Sequence, residues 1–133
     1  MSVPFAVSLV VHRVKNGPEW QDPATLRDKK ILAFMEKVSV QAHPEFERVI
    51  KEEPASRIGK VDVIARGKKF SEERKYRKGS PATVQSRMTN AELVAKFQHN
   101  AVRVLPSNTI GKLSDMVLHL EDVEDVSYLA QMW

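Results

Sequence analysis

Apolar positions along the chain change period several times, and each change marks an element. Residues 3–14 are apolar almost all round: Val3, Phe5, Val7, Leu9 and Val11 alternate as in a strand, yet Pro4 suits the first turn of a helix. Periodicity alone leaves both readings open, and Asn16-Gly17-Pro18 ends the segment. Asp22-Pro23 is a capping residue followed by proline at the first helical position, and Ile31, Phe34, Met35 and Val38 recur at helical spacing. An amphipathic helix is therefore predicted over 23–36. Val38, Val40 and Ala42 alternate with Ser39 and Gln41, the pattern of a half-buried strand, until His43-Pro44 breaks it. A short helix is expected over 44–52, closed by Pro54.

Val61, Val63 and Ala65 alternate with polar neighbours, Ile64 apart, Gly67 supplies a turn, and residues 69–77 return as a second strand. With 38–42 this predicts a small antiparallel sheet of about three strands, too little to stand without helical cover. The helices are expected to supply it. Thr89 can cap a helix while Glu92 reaches back to the capping residue's amide, and Met88 and Leu93 sit at the positions of a hydrophobic staple. Leu93, Phe97, Ala101 and Val104 then line one face of a helix over 90–104, which Leu105-Pro106 closes. A second helix over 108–119 carries Ile110, Leu113, Met116 and Val117, with Leu120 continuing the stripe, and a last one over 122–132 carries Val123, Val126, Leu129 and Ala130. The fold class read from this pattern is α+β, with several helices around one small antiparallel sheet.

The 133 residues are one domain's worth, and 42% hydrophobic with 29% charged describes an ordinary globular chain. No apolar run approaches the roughly 18 residues needed to cross a bilayer, and the apolar start has no basic region before it, which makes a poor signal peptide. The absence of cysteine excludes disulfides and fits a reducing compartment, cytoplasmic or, in a eukaryote, the mitochondrial matrix. The net charge of +4 is unevenly spread: Lys68, Lys69, Arg74, Lys75, Arg77 and Lys78 crowd one segment, and Glu121, Asp122, Glu124 and Asp125 another. The basic run could meet polyanions. Glu72 and Glu73 interrupt it, however, and aromatic residues there are confined to Phe70 and Tyr76, so a solvated edge hairpin is the preferred reading over a nucleic-acid surface.

Motifs for common chemistries are missing. Five glycines form no phosphate-binding loop, no Gly-x-Ser-x-Gly elbow activates a serine, and His12, His43, His99 and His119 share no metal-ligand spacing. No metal or organic cofactor is expected. The carboxylates at 121–125 precede a helix, where negative charge suits the dipole, so capping is preferred to acid–base work.

A strand from Lys60, a turn on Gly67, a basic strand, then Arg77-Lys78-Gly79-Ser80-Pro81 and Met88-Thr89-Asn90-Ala91-Glu92-Leu93-Val94-Ala95-Lys96-Phe97 stand in this order. That order and spacing resemble the C-terminal domain of MmgE/PrpD-family lyases, which include 2-methylcitrate dehydratase and cis-aconitate decarboxylase. The resemblance runs from Ser2-Val3-Pro4-Phe5 to the closing helices and favours a buried helix for 3–14. It implies a single α+β lid domain over 1–133, a site in the cleft between lid and a large N-terminal helical domain, and small di- or tricarboxylate substrates. Eliminations in the family take a proton beside a carboxylate and release water or carbon dioxide without a cofactor.

Most of the family's catalytic lysines and histidines lie in that helical domain, which this resemblance places outside the chain, as for a fragment, a split subunit or a truncated paralogue. One family site position falls inside, a tyrosine in a Ser-x-Pro-Tyr-Ala-Val segment. Here Phe5 occupies it, keeping the ring and losing the hydroxyl that could donate a proton. Lys78 and Gly79 match the family turn and are the candidate substrate-binding residues, a lysine beside a flexible glycine; the competing reading is a purely structural turn. The resemblance thus implies a chain inactive alone, partnered by a helical-domain subunit or by its own copy through residues 3–14, the C-terminal helices and Trp133. An interaction module derived from the domain, without enzymatic activity, is the alternative.

Overall fold

A computed structural model describes residues 1–132, so the expected packing of Trp133 lies outside the described residues. The chain divides into two compact units: Met1–Ser39 with Thr89 onward, and Val40–Met88. The class is α+β, with seven α-helices and a two-stranded antiparallel sheet among the described residues.

The first unit opens with α1 (Val3–Val11), so helix prevails over strand for the ambiguous apolar run. Pro4 sits in the first turn, and the Ser2 hydroxyl accepts from the Phe5 amide at 3.4 Å. Leu9, with no exposed surface, packs with Phe5 and Ile31, and Val14, Trp20 and Met35 close around them. Ser8 lies equally deep, and its hydroxyl is satisfied by donating to the Pro4 carbonyl at 2.8 Å. The Trp20 indole donates to the Val14 carbonyl at 3.2 Å, giving that residue a core role that the sequence pattern did not assign. Val3, Val10 and Val11 remain exposed on the other side of α1.

A 3-10 turn (Pro18–Gln21) leads to α2 (Pro23–Leu26) and α3 (Lys29–Met35). The single helix expected over 23–36 is thus two. Asp28 breaks it, since its carboxylate accepts from the Lys30 amide at 2.7 Å and caps a new helix there. Farther on, α5 (Asn90–Ala101) starts with the anticipated capping box: Thr89 Oγ1 accepts from the Glu92 amide at 3.2 Å, and Glu92 Oε2 from the Thr89 amide at 2.8 Å. It packs on α6 (Ser107–Leu118), where Ala101, Ile110 and Leu113 are buried. Val104 lies beyond the end of α5 and is exposed, so it does not extend the apolar face expected of it. The last helix shrinks to α7 (Ser127–Ala130), preceded by a 3-10 turn at Leu120–Asp122. Asp125 accepts from the Ser127 amide at 2.8 Å, but the N-cap of α7 is Val126 and no side chain caps it, so the capping role expected of the 121–125 carboxylates is not met there.

The second unit holds α4 (Phe46–Glu52), the hairpin β1 (Gly59–Ala65) and β2 (Lys68–Arg74), and a loop to Met88. Val49 is buried, and the enclosed Ser56 hydroxyl is satisfied by the Val49 and Glu53 carbonyls. Arg66 and Gly67 both take positive φ, 53° and 73°, which makes the tight mirror-image turn suited to a twisted hairpin. Two expectations fail here. Residues 38–42 form no strand, because their alternation marks no buried face: Val40 is 57% exposed and no ladder partner lies beside it. Nor do helices cover the sheet, since every residue of β1 and β2 is exposed.

Candidate substrate-binding loop and the Phe5 position

Lys78 and Gly79 lie in the loop after β2, a segment organised around Ser86. The Ser86 hydroxyl, 8% exposed, donates to the Ser80 carbonyl at 2.9 Å, and its main-chain carbonyl accepts from the Gly79 amide at 2.6 Å. Ser80 N–H returns to the Arg77 carbonyl at 3.1 Å, closing a turn in which Gly79 takes φ +93°, a left-handed conformation that favours glycine. Gly79 therefore serves the turn. Its amide is engaged within the loop, and Lys78 is the charged residue of the pair.

An open cleft of about 370 Å³ borders this loop, lined by Arg74, Lys75, Tyr76, Lys78, Thr83 and Gln85 with Ser86. Glu53 organises one wall. The Tyr76 hydroxyl donates to its carboxylate, and Lys75 Nζ lies 2.9 Å away. The Tyr76 bond, then the Lys75 bond, hold the Glu53 carboxyl below its ordinary range; the Glu53 bond raises both the Lys75 ammonium and the Tyr76 phenol. Tyr76 is thus held as a neutral phenol, and the cations beside it are paired, Lys75 with Glu53 at 2.9 Å and Arg74 with Glu72 at 3.1 Å.

Phe5 lies in the other unit, 8% exposed within the α1 core. Its ring also borders a mostly apolar cleft of about 390 Å³, shared with Ser2, Trp20, Leu26, Leu32 and Met35. Nothing about the position exchanges protons, because the phenyl ring has no titratable hydrogen.

A second polar cluster in the first unit escaped the sequence pattern. Arg103 grips Asp22 with both guanidinium nitrogens, at 2.5 and 3.0 Å, and reaches Glu19 at 3.4 Å, while His99 Nε2 lies 2.8 Å from Glu19. The Arg103 bond lowers the Asp22 carboxyl, and a bond from its own backbone, followed by His99, lowers Glu19. Gly17 makes room for this arrangement: a Cβ there would come within 2.5 Å of the His99 ring. The four-residue spacing of His99 and Arg103 was the one available signal, since both partners lie some eighty positions earlier. His12 and His119 turn to carbonyls of their own helices, and His43 lies 3.6 Å from Glu73. No group of three metal-ligating side chains exists among the described residues, and no helix among them is long and apolar enough to cross a membrane.

The family model of the MmgE/PrpD C-terminal domain matches residues 1–122. No curated protein and no solved structure matches the chain. With most of its length covered, the chain belongs to the MmgE/PrpD family as a C-terminal domain.

Proposed function

We propose, taking membership of the MmgE/PrpD family as the premise, that this chain is the lid of a lyase acting on small di- or tricarboxylates of the 2-methylcitrate or cis-aconitate class. The family match over 1–122, with the Lys78–Pro81 turn inside it, carries this reading. A C-terminal domain of this family is one that associates with an N-terminal domain. On the proposal, that helical domain supplies the acid and base groups, whether on the same polypeptide or another, and the lid supplies charge and enclosure.

Lys78 contributes a positive charge toward a substrate carboxylate, and Gly79 shapes the turn that holds it. Excluding water strengthens that attraction and keeps a carbanion-like centre from wasteful protonation. Phe5 fills the family's tyrosine position without a hydroxyl, so proton delivery from this point is absent. The same departure is what favours the second reading, a docking module without chemistry.

Mixing the purified chain with a helical domain from an active family member tests this. The expected result is no turnover of cis-aconitate or 2-methylcitrate by the chain alone, turnover in the mixture, and a raised KM with Lys78→Ala. Turnover by the chain alone contradicts the lid role. A stable mixture with no activity, even after Phe5→Tyr, selects the docking module.

A further inference from the structure

The first unit contains two helix pairs, and each buries its own apolar residues. α1 packs on α3 around Phe5, Leu9 and Ile31, while α5 packs on α6 with Ala101, Ile110 and Leu113 buried outside that cluster. Among the described residues, no helix of one pair packs on a helix of the other as broadly as the helices pack within each pair. Four polar side chains join them: Glu19 and Asp22 from the 3-10 turn and its end, His99 and Arg103 from α5 and just beyond it. The turn itself belongs with α1. Its Trp20 closes over the Phe5–Leu9–Ile31 cluster, and the Trp20 indole donates to the Val14 carbonyl at 3.2 Å.

The join shows in two residues that give up an ordinary role. Asp22 stands at the N-cap of α2, where its carboxylate could accept from the free amides of that helix, yet it makes no capping bond. It takes both guanidinium nitrogens of Arg103 instead, at 2.5 and 3.0 Å. Gly17 lacks the Cβ that would stand 2.5 Å from the His99 ring, and in that space His99 Nε2 lies 2.8 Å from Glu19.

We propose that Glu19, Asp22, His99 and Arg103 form a polar clasp that couples the two helix pairs, and that it opens as a hinge with both apolar cores intact. The Arg103 and Asp22 side chains keep 41% and 37% of their surface in water, so opening returns them to solvent at small cost. Pulling Leu9 or Leu113 from its own pair costs more, because each is fully or almost fully buried. The clasp is therefore the first contact between the pairs to give. It lies wholly within the first unit and stands whether or not the chain acts as a lid.

Native-state hydrogen exchange on the full chain tests the proposal, because coupling between two parts is reciprocal. The Val14 amide, which donates to the Leu9 carbonyl at 2.9 Å, reports on the first pair, and the α6 amides around Leu113 report on the second. Asp22→Asn and Arg103→Gln should each speed exchange about three- to tenfold in both pairs, and the double variant should do little more than either alone. Gly17→Ala, which changes no charge, should act on both pairs in the same way. In the Arg103→Gln background, Leu9→Val should then speed exchange in the first pair and leave α6 unchanged. Exchange that quickens only in the pair bearing the clasp substitution, or in neither, overturns the coupling. Equal quickening of both pairs by Leu9→Val once the clasp is gone shows one shared core and overturns the hinge.

Discussion

Leu9 and Ser8 are neighbours on α1 with no exposed surface, and each is held by a different force. Leu9 stabilises through packing against Phe5 and Ile31, so Leu9→Ala should cost about 2–5 kcal/mol in urea unfolding. Ser8 is tolerated because its hydroxyl returns to Pro4. At the start of α5, Thr89→Ala should cost about 1 kcal/mol by loss of the cap. In the candidate loop, Gly79→Ala should cost about 1–2 kcal/mol, since a Cβ is strained at φ +93° even though the space beside it is adequate. An unchanged midpoint for Gly79→Ala would show that the turn relaxes, and would remove the structural role assigned to that glycine. These residue roles were unevenly legible. Thr89 and Glu92 announce their cap within four positions, whereas the partnership of Ser86 with Gly79 and Ser80 depends on a loop closure with no periodic signature.

Among the elements, α5, α6 and the hairpin follow from local information: a capping box, an apolar stripe, a glycine turn. The pattern of α1 fits strand and helix alike, and the family resemblance decides for helix. Residues 38–42 and 23–36 misled because short alternation and helical spacing both ignore competition. Val38, Val40 and Ala42 found no ladder, and Asp28 preferred to cap α3 rather than continue α2. The cluster of Glu19, Asp22, His99 and Arg103 ties the 3-10 turn at Pro18–Gln21 to α5 and the residues after it, a distance in sequence that no local pattern reports. Its pH dependence has a definite sign. Asp22 is lowered by Arg103, and Glu19 is lowered as well, so both carboxyls bind fewer protons folded than unfolded. The stability they add is present above the ordinary carboxylate range near pH 4 and is lost as pH falls through their lowered values. The melting temperature should therefore drop on acidification below about pH 4, and Arg103→Gln should flatten that drop. An equal slope in both proteins would show that Asp22 gains nothing from the contact.

At the scale of the molecule, the family was readable from ordered short motifs between Ser2 and Phe97, and the family model covers the same ground. The candidate site was readable only as positions. Lys78 and Gly79 stand out as a motif, but their cleft owes its walls to Glu53, Lys75 and Tyr76, which the sequence offered no reason to connect. Phe5 was legible as a departure from a family pattern and as part of a buried helix, whereas its packing with Ile31 of α3 was not. Val3, Val10 and Val11 of α1 are exposed, and on the lid proposal they meet a helical domain. The most direct measurement replaces the C-terminal domain of an active family member with this chain and follows turnover of cis-aconitate and 2-methylcitrate. The account predicts weak activity with Phe5, a clear rise with Phe5→Tyr, and a raised KM with Lys78→Ala. A folded chimera that binds neither acid and gains nothing from Phe5→Tyr would contradict it.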